Sequence, residues 1–189
     1  MERLAGDALF DALAFAVEAH GRVGHLRKGT RFPYVIHPIR VAWILERHGY
    51  DDELATAGLL HDTLEDTDAT TDEIAERFGE RVARLVEAVS EPDKAASWAE
   101  RKGATIEKVA TAEPDVLFLL AADKLDNVRS IRDTLAERGE NETWQLFKTG
   151  RDDQAWYYRS LADAFLARDP DNDLFQTLAA EVEAVFPKA

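Results

Sequence analysis

Residues that start and end helices recur along this sequence. Their positions are the feature that most constrains its fold. Nearly every long segment spaces its apolar residues three and four apart, as an amphipathic helix does. No segment shows the two-residue alternation of a half-buried strand. Residues that cap or break helices separate the segments, among them Asp51, Thr70 with Glu73, Pro114 and Gly139. The sequence therefore predicts an all-α protein.

These signals also give predicted helix boundaries. In the first half of the chain, the predicted helices run from Asp7 to His20–Gly21, from Pro38 to Gly49, from Asp51 past Leu64, and from Thr70 to Ser90 with a kink or division at Gly79. In the second half, they run over 98–109, from Pro114 to Glu137, over a short helix that Asn141 caps, from Arg151 to Arg168, and from Asp173 to Phe186. No repeat or interdomain linker is evident. A length of 189 residues with 46% hydrophobic side chains then predicts one domain over 1–189.

Composition excludes several classes of protein. The sequence has no cysteine, which rules out disulfides, thiolate nucleophiles and cysteine-ligated zinc. Its formal charge of −14 argues against broad attraction to nucleic acid or to an anionic membrane. It contains no run of about eighteen apolar residues that could span a bilayer. We therefore expect a cytoplasmic protein with no nucleic-acid or membrane partner.

The charge is unevenly distributed along the chain. The segment 19–45 has no acidic residue, yet it carries five basic ones, namely Arg22, Arg27, Lys28, Arg31 and Arg40. Such a segment is either a solvated basic surface or a local site for a small anion. On a protein that is acidic as a whole, we favour the anion site.

The run LLHDTLEDTD, residues 59–68, crowds acidic and imidazole groups at the end of an apolar helix. In a continuous helix His61 and Glu65 would share one face. Asp62 and Asp66 would share the neighbouring face. Carboxylates so close together repel each other, and a divalent cation would reverse that repulsion. The run therefore predicts a metal site.

Two more candidate ligands stand among apolar residues elsewhere. His37 precedes a proline at a helix start, and Asp123 interrupts a strongly apolar helix, where a lone carboxylate would be costly. Each has a simpler explanation, because a histidine beside proline is more often a cap or a core residue, and Lys124 could neutralise Asp123. Two imidazoles with two carboxylates suit Mn²⁺, Fe²⁺, Co²⁺ or Zn²⁺ better than Ca²⁺.

Taken together, these residues resemble a known family. The order His, His-Asp, Asp on three helices resembles the HD phosphohydrolase superfamily, an all-α metal-dependent fold. The segments RKGTRFPYVIHPIRVA, AGLLHDTLEDTD and LAADKLDN, together with the spaced WAERK, are similar to the hydrolase domain of RelA/SpoT proteins and to the stand-alone small alarmone hydrolases. The resemblance covers a core of about residues 9–133 and implies a single-domain HD-type fold, with residues 140–189 as a helical extension.

The resemblance implies roles for individual residues. It assigns one divalent metal ion, usually Mn²⁺, to His37, His61, Asp62 and Asp123. It makes Glu65 and Asp66 the catalytic acids that orient or deprotonate the attacking water. Elementary chemistry agrees, because a nearby carboxylate can accept a proton from a metal-activated water near neutral pH. The alternative for this pair is an ordinary solvated helix end.

On the substrate side, the resemblance assigns nucleotide contacts to Arg27, Lys28, Asn127, Ser130, Arg101 and Lys102. Asn127 shares the helix face of Asp123, and Ser130 follows on an adjoining face. Arg101 and Lys102 either lie near the pyrophosphate or belong to a solvated helix face. Relatives carry His or Tyr at the position of Asp126. From its helix position we expect Asp126 to point outward, away from the anion pocket.

The predicted function is a metal-dependent pyrophosphohydrolase that converts guanosine tetra- and pentaphosphate, (p)ppGpp, into GDP or GTP and pyrophosphate. One alternative is a phosphatase of the same superfamily that acts on NADPH or a nucleoside monophosphate. Another is a non-catalytic nucleotide sensor, which would have no use for Glu65 and Asp66. The partner in each case is a small-molecule nucleotide, and the sequence leaves open whether the chain forms a homo-oligomer.

Overall fold

The computed structural model describes residues 5–90 and 95–187, and every regular element in them is an α-helix. The helices are α1 (Ala5–Arg22), α2 (Ile36–Arg47), α3 (Asp52–Leu60), α4 (Thr63–Asp66), α5 (Thr71–Phe78), α6 (Glu80–Val89), α7 (Trp98–Thr111), α8 (Pro114–Gln145), α9 (Arg151–Arg168) and α10 (Asp173–Val185). Within these residues the extended pairing is confined to one isolated antiparallel bridge between Leu26 and Pro33. The all-α prediction is confirmed.

The helices form two compact units, which divide between residues 92 and 93. In the first unit α3 is central and packs against α1, α2 and α6. Its core-facing side chains, such as Leu54 and Leu60, are almost fully buried. Helix α2 approaches α3 closely at Gly58, where an added Cβ would lie 3.2 Å from the Ala42 backbone. This contact holds the middle of α2 against the end of α3.

In the second unit α8 and α9 both pack against α10, and α7 packs against α9. The Phe165 and Phe175 rings, with centroids 5.0 Å apart, fill its core. Among the residues that the structure describes, no helix has the length and apolar character needed to cross a membrane. A single domain over 1–189 stays a prediction.

Most of the predicted helix boundaries follow local signals that the structure confirms. Asp51 caps α3 by accepting a hydrogen bond from the Leu54 amide at 2.9 Å, and Thr70 caps α5 by accepting one from the Glu73 amide at 3.2 Å. Gly79, with φ of +95°, divides the segment into α5 and α6. Pro114 is the first residue of α8, and α9 has its predicted bounds.

Two predicted starts are wrong by two residues. Helix α1 begins at Ala5, not Asp7, and α2 begins at Ile36, not Pro38. For α2 the reason is that the Ile36 and His37 amides already bond to the Pro33 and Tyr34 carbonyls, which starts the turn earlier. Pro38 still falls in the first turn, where its missing N–H is not needed.

The predicted new helix after Gly139 is confirmed, but the prediction that Asn141 caps it is wrong. Gly139, with φ of +76° and ψ of 175°, breaks the helical geometry as predicted. Helical geometry resumes directly after Gly139, so Asn141 lies inside the first turn of the new helix and not in front of it. Glycine adopts this left-handed backbone conformation without steric cost, and no side-chain cap was required.

The predicted continuous helix through residues 51–64 is broken into α3 and α4 at His61 and Asp62. Side chains take the carbonyls that a continuing helix would use. His61 Nδ1 bonds to the Gly58 carbonyl at 2.8 Å, and the Thr63 hydroxyl donates to the Leu60 carbonyl at 2.7 Å. The break removes the continuous helix on which the shared face of His61 and Glu65 depended. Asp62 and Asp66 still stand one helical turn apart, because the Asp66 amide donates to the Asp62 carbonyl at 3.0 Å.

Candidate active site

Two buried histidines define the centre of the site in the first unit. His37 comes from the first turn of α2, and His61 directly follows α3. Only 1% and 4% of their surfaces are exposed, and their rings meet edge to face with centroids 5.0 Å apart. The close approach of α2 and α3 thus brings together two imidazoles that are far apart in sequence.

Asp62 lies between these imidazoles. Its Oδ2 is 3.0 Å from His61 Nε2 and 3.6 Å from His37 Nε2. The backbone at Asp62, with φ of −98° and ψ of −2°, is the link between α3 and α4. The break in the helix therefore turns this carboxylate back toward the two rings.

Glu65 and Asp66 follow on the short helix α4 and are both half-buried. The Asp66 amide donates to the Asp62 carbonyl at 3.0 Å, so this turn is fixed to the Asp62 backbone. His25, from the loop after α1, places its Nδ1 3.9 Å from Asp66 Oδ2. The structure thus brings the two acids into the turn next to the His37–His61–Asp62 group.

Tyr34 connects this group to the loop between α1 and α2. Its hydroxyl donates to Asp62 Oδ2 at 2.6 Å, and its ring contacts His20, His25 and His37 with centroids 5.1, 5.2 and 5.7 Å away. Burial lowers the pKa of His20 to about 4, and the attraction of Asp62 only partly opposes that shift. His20 is therefore neutral at physiological pH.

Arg27 and Lys28 lie on the loop that Tyr34 ends. The loop is closed like a hairpin, because the Arg27 amide donates to the Phe32 carbonyl and the Tyr34 amide to the His25 carbonyl, both at 2.9 Å. Arg27 is half-buried and Lys28 is exposed. The basic segment 19–45 thus divides between the end of α1, this loop and α2, all in the same unit as His37 and His61.

In the second unit, Asp123 is held at both carboxylate oxygens. Lys124 Nζ lies 2.6 Å from Oδ2, and the Asn127 amide donates to Oδ1. Asp123 is 8% exposed. Asn127 shares the face of Asp123 on α8, as predicted, and its amide bonds to that carboxylate.

The prediction for Asp126 is wrong. We expected this side chain to point outward, but it is fully buried. Helix α8 is enclosed on several sides, with Leu125 and Val128 also fully buried, so being one position from the Asp123 face does not bring Asp126 to solvent. Ser130 is half-buried on the same helix, and its carbonyl accepts a hydrogen bond from the Thr134 hydroxyl.

Arg101 and Lys102 lie in the second turn of α7 and are half-buried. Lys102 places its Nζ 5.3 Å from the centroid of the Tyr157 ring, in a cation–π contact with α9. The solvated-face alternative does not fit this lysine, since it packs against an aromatic ring.

Three buried side chains offer metal-ligating atoms. His37 and His61 offer ring nitrogens in the first unit, and Asp123 offers carboxylate oxygens in the second. Imidazole nitrogen and carboxylate oxygen are the ligands that divalent first-row metals accept in proteins.

Comparisons with known proteins agree with these features. A chain region of residues 12–149 matches the sequence model of the HD domain. The chain is 43% identical over 142 residues to guanosine-3′,5′-bis(diphosphate) 3′-pyrophosphohydrolase of Aquifex aeolicus, an alignment that covers 72% of this chain but only 20% of that protein. The chain therefore spans about a fifth of that relative's length.

A shorter relative matches over most of its length. The guanosine-3′,5′-bis(diphosphate) 3′-pyrophosphohydrolase MESH1 of Danio rerio is 40% identical over 126 residues, which are 65% of this chain and 68% of that protein. A solved structure of a metazoan SpoT ortholog, described as hydrolysing ppGpp, superimposes with a TM-score of 0.77 at 28% identity, covering 97% of both chains. From the matched HD domain and the aligned relatives, we conclude that this chain belongs to the HD domain family.

Proposed function

We propose that this protein is a metal-dependent (p)ppGpp 3′-pyrophosphohydrolase, which converts guanosine tetra- and pentaphosphate into GDP or GTP and pyrophosphate. The observation that carries the proposal is the position of Asp62 Oδ2 between the Nε2 atoms of His37 and His61, with two further acids in the next turn. The activity in the names of the Aquifex and Danio relatives supports the same substrate. A cytoplasmic location stays a prediction.

The tautomer of His61 supports a metal ion in this group. A carbonyl oxygen can only accept, so the bond to Gly58 requires a proton on His61 Nδ1. In the neutral ring, Nε2 then carries a lone pair that faces Asp62 Oδ2 at 3.0 Å. Two acceptors oppose each other there, and a divalent cation would attract both.

Asp123 is the fourth ligand in this proposal, beside His37, His61 and Asp62. Lys124 and Asn127 already fix the Asp123 carboxylate, so little freedom remains to be lost when an ion binds. Two imidazoles and two carboxylates suit Mn²⁺, which we propose as the ion. When bound, such an ion lowers the pKa of a water and polarises a phosphoryl oxygen.

Glu65 and Asp66 would handle the proton of the attacking water. Hydrolysis adds one water across the bond between the 3′ oxygen and its phosphorus. The water oxygen forms the new bond to phosphorus, and one of its protons passes to a carboxylate of Glu65 or Asp66. The bond from phosphorus to the 3′ oxygen breaks, pyrophosphate is released, and the carboxylate returns the proton to the 3′ oxygen, which becomes a hydroxyl group. Because both acids sit in the turn that follows Asp62, they are held next to the ligands that α3 and α4 present.

The nucleotide contacts rest on the family resemblance. In this proposal Arg27 and Lys28 bind the nucleoside part, where a planar guanidinium can stack on a purine and an ammonium can meet phosphate. The closed loop that carries them supports this role, because it ends at Tyr34 beside the ligand group. The remaining proposed contacts are Asn127, Ser130, Arg101 and Lys102.

The test is an assay with Mn²⁺ that presents guanosine tetraphosphate, NADPH and a nucleoside monophosphate separately and quantifies pyrophosphate and orthophosphate. We expect pyrophosphate from the tetraphosphate alone. Glu65→Gln and Asp66→Asn should lose turnover but still bind Mn²⁺, whereas His61→Ala should lose both. Asp68→Asn removes an exposed carboxylate just beyond α4 and should keep both.

The other results have clear meanings. Orthophosphate released from NADPH or the monophosphate would replace the proposal with a broader phosphatase. Mn²⁺ and nucleotide binding without any product would replace it with a nucleotide sensor.

A further inference from the structure

We propose that Tyr34 is a positioning residue that sets the affinity of the metal site through Asp62. The inference rests on the proposed function only in assuming that Asp62 ligates a metal ion. Its basis is the hydrogen bond of 2.6 Å from the Tyr34 hydroxyl to Asp62 Oδ2, which joins residues 28 apart in sequence. A short bond from a neutral donor to a carboxylate is among the stronger hydrogen bonds in proteins.

The Tyr34 hydroxyl bonds to the same Asp62 oxygen that faces the two histidines. Oδ2 is the Asp62 atom that lies close to both His61 Nε2 and His37 Nε2. The Asp62 side chain is 18% exposed and sits at a break between helices, so neither burial nor regular helix geometry fixes its carboxylate plane. The Tyr34 hydroxyl supplies that constraint.

Tyr34 is itself held from several sides. Its ring packs among the imidazoles of His20, His25 and His37. Its amide donates to the His25 carbonyl, and its own carbonyl accepts from the His37 amide, both at 2.9 Å. The hydroxyl position is therefore set by the packing of the first unit and by the start of α2, and a rigid donor can hold a ligand carboxylate in one orientation.

Tyr34→Phe separates this role from a role in packing. The variant keeps the ring and its contacts with the three imidazoles, and it deletes only the hydroxyl. Loss of a group that orients a metal ligand typically weakens metal affinity or activity about 10- to 100-fold. We therefore expect the dissociation constant for Mn²⁺, measured by calorimetric titration, to rise by about 10- to 100-fold.

Tyr50→Phe is the matched control. Tyr50 lies before α3 and His61 lies directly after it, and the nine residues of α3 separate the two positions by about 14 Å. This variant makes the same chemical change in the same unit and should bind Mn²⁺ as the unmodified protein does. Thermal unfolding of both variants in EDTA reports any general loss of stability.

The outcomes separate this inference from the proposed function. Weaker Mn²⁺ binding by Tyr34→Phe, with metal-free unfolding close to that of Tyr50→Phe, supports the positioning role even if no nucleotide is hydrolysed. Turnover that returns at saturating Mn²⁺ supports it further. Unchanged Mn²⁺ affinity in Tyr34→Phe overturns the inference, even if the unmodified protein hydrolyses guanosine tetraphosphate.

Discussion

Lys124 and Asp123 form a buried ion pair on α8, with Nζ 2.6 Å from Oδ2 and side chains that are 14% and 12% exposed. Burial is the largest single influence and acts to lower the pKa of Lys124. The attraction and hydrogen bond of Asp123, together with Tyr157 and Tyr158, outweigh it and raise that pKa well above its ordinary value. Lys124 is therefore charged at neutral pH, and its ammonium group compensates the Asp123 carboxylate in the interior.

Lys124→Met should strongly destabilise the metal-free protein. It removes the cation beside the buried Asp123 carboxylate, and breaking one partner of a buried pair costs about 3–5 kcal/mol. Saturating Mn²⁺ should restore part of that loss, because a bound cation would take over the neutralisation of Asp123. Urea unfolding in EDTA and in Mn²⁺ measures both effects.

Lys148→Met is the control for this experiment, since Lys148 is exposed in the same unit. Its free energy of unfolding should stay within about 0.5 kcal/mol of the unmodified protein. A Lys124→Met protein as stable in EDTA as this control would show that Asp123 does not depend on Lys124 for compensation.

Gly58→Ala should destabilise the first unit. The new Cβ would lie 3.0 Å from Leu45 Cδ1 and 3.2 Å from the Ala42 backbone, so α2 and α3 must move apart. Overpacking of this kind costs about 1–3 kcal/mol. The shift also displaces the carbonyl that accepts from His61, so Mn²⁺ affinity should fall with the melting temperature.

Gly103→Ala provides the comparison, because a Cβ at Gly103 would meet no atom within 4 Å and the residue lies inside α7. This variant should keep or gain stability, by up to about 1 kcal/mol from helix propensity. If Gly58→Ala behaved the same way, the contact between α2 and α3 would have to be looser than the structure indicates.

Asp51 offers a test of the capping assignment. Its side chain caps α3 and also pairs with Arg81 at 2.9 Å, and the hydrogen bond from Arg81 is the main cause of its lowered pKa. Asp51→Ala removes both contacts and should cost about 1–2 kcal/mol. Asp51→Asn keeps a good cap and should cost less than about 1 kcal/mol, since the ion pair is exposed. Equal losses in denaturant unfolding would assign the effect to the ion pair.

Local signals explain how far the sequence predicts this fold. A cap such as Asp51, a first-turn proline such as Pro114 and a dividing glycine such as Gly79 act within one or two turns, so their consequences can be predicted from neighbouring residues. The break at His61 could not be predicted this way. It arises because the His61 and Thr63 side chains take helix carbonyls, a choice that depends on the fold around them.

The candidate site was predictable in its residue types and not in its supporting contacts. His37, His61 and Asp62 stand out by motif, but the hydrogen bond between Tyr34 and Asp62 crosses 28 residues and leaves no local pattern. The sequence places Tyr34 three positions before His37, and nothing in that spacing shows that its hydroxyl reaches Asp62. The burial of Asp126 could not be predicted from its position in the helix. That position gives the direction of its side chain relative to Asp123, but it does not show that the whole of this part of α8 is buried.

His20 should make stability depend on pH in a defined window. The residue is 2% exposed, and within the part of the chain that the structure describes neither of its ring nitrogens has a hydrogen-bond partner. Burial, the largest influence, lowers its pKa from 6.5 to about 4 in the folded protein. Below pH 6.5 the unfolded chain therefore binds a proton that the folded protein takes up only near pH 4, so stability falls as pH falls through this window.

The comparison of unmodified protein with His20→Gln isolates this effect, because other titrating groups are common to both. In EDTA, the difference between their free energies of unfolding should be constant above about pH 7. Between pH 6.5 and about 4 the unmodified protein should lose on the order of 3 kcal/mol more than the variant. Urea unfolding at half-unit steps of pH measures the difference. Parallel curves would mean that His20 takes up its proton equally in both states, which its burial beside Tyr34 and His25 argues against.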